Sequence, residues 1–137
     1  MEFYTYRLPN GIRGIHRQVK GAVAHCALVV DAGSRDERTG EYGLAHFTEH
    51  AFFKGTQRRR AWQVNCRLEN LGGELNAFTT KEDTTIHATT LRSDFPKAAE
   101  LIADVAFRSV YPDRELEREK EVIADEINTY KDSPPPT

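Results

Sequence analysis

The sequence predicts an α+β fold: a mostly antiparallel sheet of about five strands with helices packed on one face. Three observations lead there. Strand-like segments fall into two groups, residues 3–30 and 74–91, and each group is followed by two helical patterns. Turn signals, Pro9-Asn10-Gly11 and Gly72-Gly73, fall between these segments rather than inside them. The resulting order of strands, two helices, strands, two helices lacks the strict β-α alternation of a parallel sheet. At 137 residues, the chain is long enough for one domain with its own core and too short for two.

Residues 3–8 and 12–18 read as a hairpin, because Asn10-Gly11 tolerates the positive φ that a tight reversal needs. Residues 22–30 (AVAHCALVV) form an almost continuous apolar run, which predicts a strand buried on both faces with His25 packed in the core. Residues 31–42 are polar, contain two glycines and read as a surface loop. A first helix follows around Leu44, Phe47, Ala51 and Phe52, ending at Gly55. A second is expected over 61–71, stopped by Gly72-Gly73. Residues 74–80 and 83–91, rich in threonine, read as another pair of strands. Ser93-Asp94 is expected to cap a third helix with Pro96 in its first turn, running to about Arg108. Pro112-Asp113 opens a last helix reaching about Lys131, and the proline run 134–136 forbids its continuation.

Composition narrows the function classes. A net charge of −2 with 29% charged residues forces no face to be basic, which argues against a nucleic-acid binder. The one basic cluster, Arg58-Arg59-Arg60, reads as a solvated approach to the second helix. Two cysteines, Cys26 and Cys66, have no C-x-x-C spacing and imply no disulfide framework. No signal-peptide pattern and no apolar run of membrane-spanning length is visible. The expectation is a soluble cytoplasmic protein in a reducing compartment, with no membrane partner.

The chemistry concentrates in residues 43–55, whose centre spells H-x-x-E-H. On a helix, His46, Glu49 and His50 stand at i, i+3 and i+4 and share a face. Two imidazoles one turn apart can hold one Zn²⁺, which takes nitrogen ligands at about 2.1 Å. The carboxylate between them is placed to take a proton from water activated there. The bland alternative is a core helix that carries two histidines. A zinc site also needs a third protein ligand, and the last helix offers one. Glu119 and Glu126 fall on or beside its stripe of Leu116, Ile123, Ile127 and Tyr130, two turns apart. Carboxylates on a core-facing stripe are costly to bury unless paired or bound to metal. Glu115, Glu117, Glu121 and Asp125 share the helix, so periodicity alone does not choose among the acids.

The chain resembles the inverzincins, the pitrilysin-type zinc metallopeptidases, whose hallmark is the inverted H-x-x-E-H motif. The resemblance covers nearly the whole chain: Gly33 to Glu37 with Gly43 to His46, Leu71 to Thr79 with its glycine pair and N-A-x-T strand, and Glu119 to Ile127. It implies one Zn²⁺ per chain held by His46, His50 and Glu126, with Glu119 orienting the site from behind the ligands. It implies Glu49 as general base, and Asn76 and Ala77 on an edge strand that pairs with the substrate backbone. Without the resemblance, that strand reads as a plain structural edge. The activity implied is zinc-dependent endopeptidase cleavage of peptides or small unfolded proteins. Family subunits repeat longer α+β domains, so residues 1–137 are expected to be a single truncated domain carrying the complete zinc motif. A homo-oligomer or a partner chain would then supply the missing domains. The competing expectation is a non-catalytic zinc-binding fragment or structural subunit. A purely structural zinc module fits less well, because such sites favour four protein ligands, often cysteines.

Overall fold

The computed structural model describes residues 2–132. Its elements follow the predicted order: β1 (Tyr4–Arg7), β2 (Arg13–His16), β3 (Val23–Val30), α1 (Leu44–Ala51), α2 (Ala61–Glu69), β4 (Glu74–Thr79), β5 (Thr84–Leu91), α3 (Phe95–Phe107) and α4 (Asp113–Asp132). The proline run expected to end α4 lies outside the described residues. Among those residues, no helix is long and apolar enough to cross a membrane.

All pairings are antiparallel, as the α+β reading requires, but the five strands divide between two sheets. β1 and β2 form a hairpin of their own around Gly11 at φ 93, with Leu8 and Ile12 bonded across the turn. The other sheet has the order β3-β5-β4, with Leu28 opposite Ile86 and Ala77 opposite the same residue. Strand periodicity then separates the faces. Cys26, Leu28, Leu75, Ala77, Ile86 and Ala88 point toward the helices and meet Val64, Leu68, Ala98, Leu101 and Val105. The opposite face carries Val29, Phe78 and Leu91 exposed.

That division corrects the reading of β3 as a strand buried on both faces. β3 is an edge strand whose alternate residues are exposed, and His25 lies on the open face with Nδ1 3.0 Å from Thr89 Oγ1. A continuous apolar run does not distinguish a doubly covered strand from one whose second face is open. Asp94 is also not a side-chain cap. It sits in a 3-10 turn before α3 and faces Lys97 instead, while Pro96 occupies the first turn as expected.

α3 packs along β5 and β3, α2 on β4 and α3, and α1 between β4 and α4. A polar clamp joins the α1–α2 connection to α3. Asp104 is fully buried and accepts hydrogen bonds from Thr56 Oγ1 at 2.7 Å and Arg59 Nη1 at 2.8 Å, while Arg59 also forks onto Glu100 at 3.1 and 2.6 Å. Of the three arginines read as solvated, Arg59 is therefore an internal partner. Cys26 and Cys66 are free and half-buried.

The approach to α1 is fixed by two devices. Gly33 is buried against the β4–β5 turn, where an added Cβ would come within 2.5 Å of Thr80 O and 2.6 Å of Glu82 N. Glu37 then accepts hydrogen bonds from Gly43 N and Ala45 N, both at 2.9 Å. A carboxylate at this end complements the helix dipole, and α1 has no cap from its own N-cap residue, Gly43.

Candidate metal centre

α1 and α4 pack antiparallel, so that His46 and His50 on α1, and Lys54 in the turn just past its end, run down against residues 126 and 119 of α4. The buried stripe of α4 is not the apolar stripe read from sequence. Leu116, Glu119, Ile123 and Glu126 are turned inward, whereas Ile127 and Tyr130 are exposed. The acids occupy the inner face because their partners are histidines and a lysine rather than aliphatic groups.

His46, His50 and Glu126 converge. His46 Nε2 and His50 Nε2 are 3.0 Å apart, and Glu126 Oε2 is 3.4 Å from the first and 3.5 Å from the second. The two rings meet edge to face, with centroids 4.7 Å apart. Ligands at about 2.0–2.1 Å in tetrahedral geometry are separated by about 3.4 Å. The three donor atoms thus mark one face of such a tetrahedron, and their composition, two neutral-capable nitrogens and one carboxylate oxygen, is that of a catalytic zinc site with an open position. Among the described residues, this is the one group of three or more such donors within 4.8 Å of one another.

Behind these three residues, Glu119 is buried. Its Oε2 lies 3.4 Å from His50 Nδ1 and has no hydrogen-bond partner of good geometry, while its Oε1 lies 2.8 Å from Lys54 Nζ. An orphaned buried carboxylate oxygen facing the far nitrogen of a ligand histidine is the arrangement that fixes the ring's tautomer and orientation when the near nitrogen binds metal. The residues present fit zinc.

Glu49 precedes His50 on α1 and is half-buried, and among the described residues its carboxylate forms no hydrogen bond or ion pair. β4 is an edge of its sheet and packs on α1. Asn76 on that strand is exposed, and Ala77 faces the helices. Sequence reasoning missed Lys54 and Glu37. Lys54 had a usable signal, the 46–50–54 spacing that keeps it near the histidine face. Glu37 lies in a stretch the resemblance covers, but nothing in the periodicity of its loop shows that it reaches the start of α1.

The family model for insulinase (peptidase family M16) matches residues 15–137. The chain is 36% identical to mitochondrial-processing peptidase subunit beta of Saccharomyces cerevisiae, over 95% of this chain and 32% of that protein. It is 39% identical to the Bos taurus subunit of the same name, over 88% and 24%. It is 37% identical to the uncharacterized zinc protease YmxG of Bacillus subtilis, over 94% and 32%. Among solved structures, a protease from Helicobacter pylori superposes with a TM-score of 0.87 at 28% identity, over 91% of this chain and 30% of that one. The chain therefore spans between about a quarter and a third of the length of these relatives.

Proposed function

Because the chain belongs to the insulinase family of M16 peptidases, we propose that it is the zinc-binding portion of a metalloendopeptidase acting on peptides or small unfolded proteins. The observation that carries this reading is the triangle of His46 Nε2, His50 Nε2 and Glu126 Oε2 on two packed helices, with Glu119 behind His50. In this proposal those three residues hold one Zn²⁺ per chain. Bound there, zinc would supply Lewis-acid polarisation and lower the pKa of water toward neutrality.

The chain's own residues do the rest. Glu119 Oε2 faces His50 Nδ1 at 3.4 Å, and its negative charge favours the proton on that nitrogen, which keeps Nε2 free as a lone-pair donor. Glu49, one residue before His50, is the general base: its carboxylate accepts a proton from the attacking water and returns it to the leaving amine nitrogen. The exposed edge of β4 offers backbone N–H and C=O groups to an extended substrate, and Asn76 and Ala77 sit at the middle of that edge. Main-chain pairing of this kind accepts many sequences.

The name of the mitochondrial-processing relatives, subunit beta, supports the further proposal that this domain works beside additional chain, either another domain or a partner subunit. Glu49→Gln in the longer protein or the reassembled complex tests the catalytic half. The variant is expected to keep its zinc and lose turnover by several orders of magnitude, because it loses a base and no ligand. Cleavage at the unmodified rate would remove Glu49 from the reaction, and loss of zinc would recast it as a ligand.

A further inference from the structure

Lys54 lies outside the H-x-x-E-H motif, yet it completes a line of contacts that ends at a ligand ring. Its Nζ is 2.8 Å from Glu119 Oε1, and the other oxygen of the same carboxylate is 3.4 Å from His50 Nδ1. Glu119 is only 7% exposed at its side chain, and Lys54 is 25% exposed. A desolvated carboxylate needs its charge compensated and its oxygens held. Among the described residues, Lys54 and His50 are its two ion-pair partners. The backbone presents the lysine from a fixed point. Lys54 N bonds Ala51 O at 3.2 Å, and Gly55, at φ 123, turns the chain into its bridge with Arg60.

We propose that Lys54 is a positioning residue of the metal centre, whose ammonium holds the Glu119 carboxylate in the orientation that fixes the His50 ring for metal binding. The inference rests on the zinc reading above. Two effects of the lysine oppose each other. A cation near the site weakens binding of a dication, but this ammonium is partly solvated and sits beyond both the carboxylate and the imidazole, so its repulsion is reduced. Orientation acts in the other direction, and contacts of this outer kind alter metal affinity by about 10- to 100-fold. Orientation wins, so removing the lysine weakens zinc binding. The sign of the change separates the two effects.

The test is zinc affinity by chelator competition for the wild-type chain, Lys54→Met, Lys54→Arg, Glu119→Gln and the Lys54→Met/Glu119→Gln pair, with the metal-free unfolding midpoint of each. The expected result is a roughly tenfold loss of affinity in Lys54→Met, together with a lowered metal-free midpoint, because the buried Glu119 carboxylate loses its ammonium. Lys54→Arg should stay within about threefold, since it restores the charge and the donor. In the Glu119→Gln background, Lys54→Met should cause no further loss, which is the signature of a residue acting through its partner. Unchanged or tighter binding in Lys54→Met overturns the proposal. So does an equal loss of affinity in both backgrounds, or a loss in Lys54→Arg as large as that in Lys54→Met. A wild-type chain that binds zinc no better than His46→Ala would refute the metal reading itself, and this inference with it.

Discussion

Asp104→Asn isolates the polar clamp that ties the α1–α2 connection to α3. The wild-type carboxylate is fully buried and takes bonds from Thr56 and Arg59, with Arg108 3.4 Å away. Burial alone would raise its pKa, but the hydrogen bonds from Thr56, Arg59 and Arg108 and the charge of Arg59 win, holding it below the usual carboxylate range. Breaking a buried ion pair costs about 3–5 kcal/mol when the survivor is stranded. Here Arg59 keeps its fork onto Glu100, so the cost falls to the bottom of that range or just below it, about 2–3 kcal/mol. With a urea slope of about 1–2 kcal/mol per molar, the midpoint falls by roughly 1–3 M. Glu100→Gln, at a carboxylate 40% exposed, should cost less than about 1 kcal/mol. Because the native pKa is lowered, the unfolded chain binds more protons in acid. The contribution is fully present above the unfolded value of about 3.9 and is lost as pH falls through the native one. The gap between wild type and Asp104→Asn should therefore be widest above about pH 5 and close below about pH 4. Urea melts followed by circular dichroism across this range decide it. Equal costs for the two variants, or a gap that widens in acid, would refute the reasoning.

Other substitutions probe the site and its supports. Glu126→Gln should weaken zinc binding far more than Asp125→Asn, since Glu126 is turned toward the histidines and Asp125 is exposed; equal retention in chelator competition would exclude Glu126 as a ligand. Glu37→Ala removes two hydrogen bonds from the start of α1 and should lower stability by about 1–2 kcal/mol in urea melts. A cost near zero would mean the helix start is held by other contacts. Gly33→Ala should destabilise by at least about 1–3 kcal/mol, because the new Cβ meets backbone rather than a movable side chain.

Local signals carried far in this chain. The start of the helix at Leu44, the glycine stop at Gly72 with φ 75, and the Asn10-Gly11 reversal were all legible, because each depends on neighbours in sequence, whereas α1 ends at Ala51 rather than at the expected Gly55. The resemblance named His46, His50, Glu126 and Glu119, and these side chains are neighbours on α1 and α4. What stayed hidden was long-range. Whether a second layer covers β3 is a property of the assembly, so His25 was misplaced in the core. Arg59 looked like one of three solvated cations because its partners, Glu100 and Asp104, lie more than forty residues away. The inward stripe of α4 was misread because apolar character is a poor guide where the facing helix presents imidazoles and an ammonium.

The central claim is that His46, His50 and Glu126 together hold zinc. X-ray absorption at the zinc edge of the chain loaded with one equivalent, compared with Glu126→Gln, tests it most directly. The account predicts nitrogen and oxygen scatterers only, at about 2.0–2.1 Å, with the multiple-scattering pattern of two imidazoles and a spectrum that changes in the variant. A sulfur shell near 2.3 Å, the pattern of a single imidazole, or a spectrum indifferent to Glu126 would contradict it.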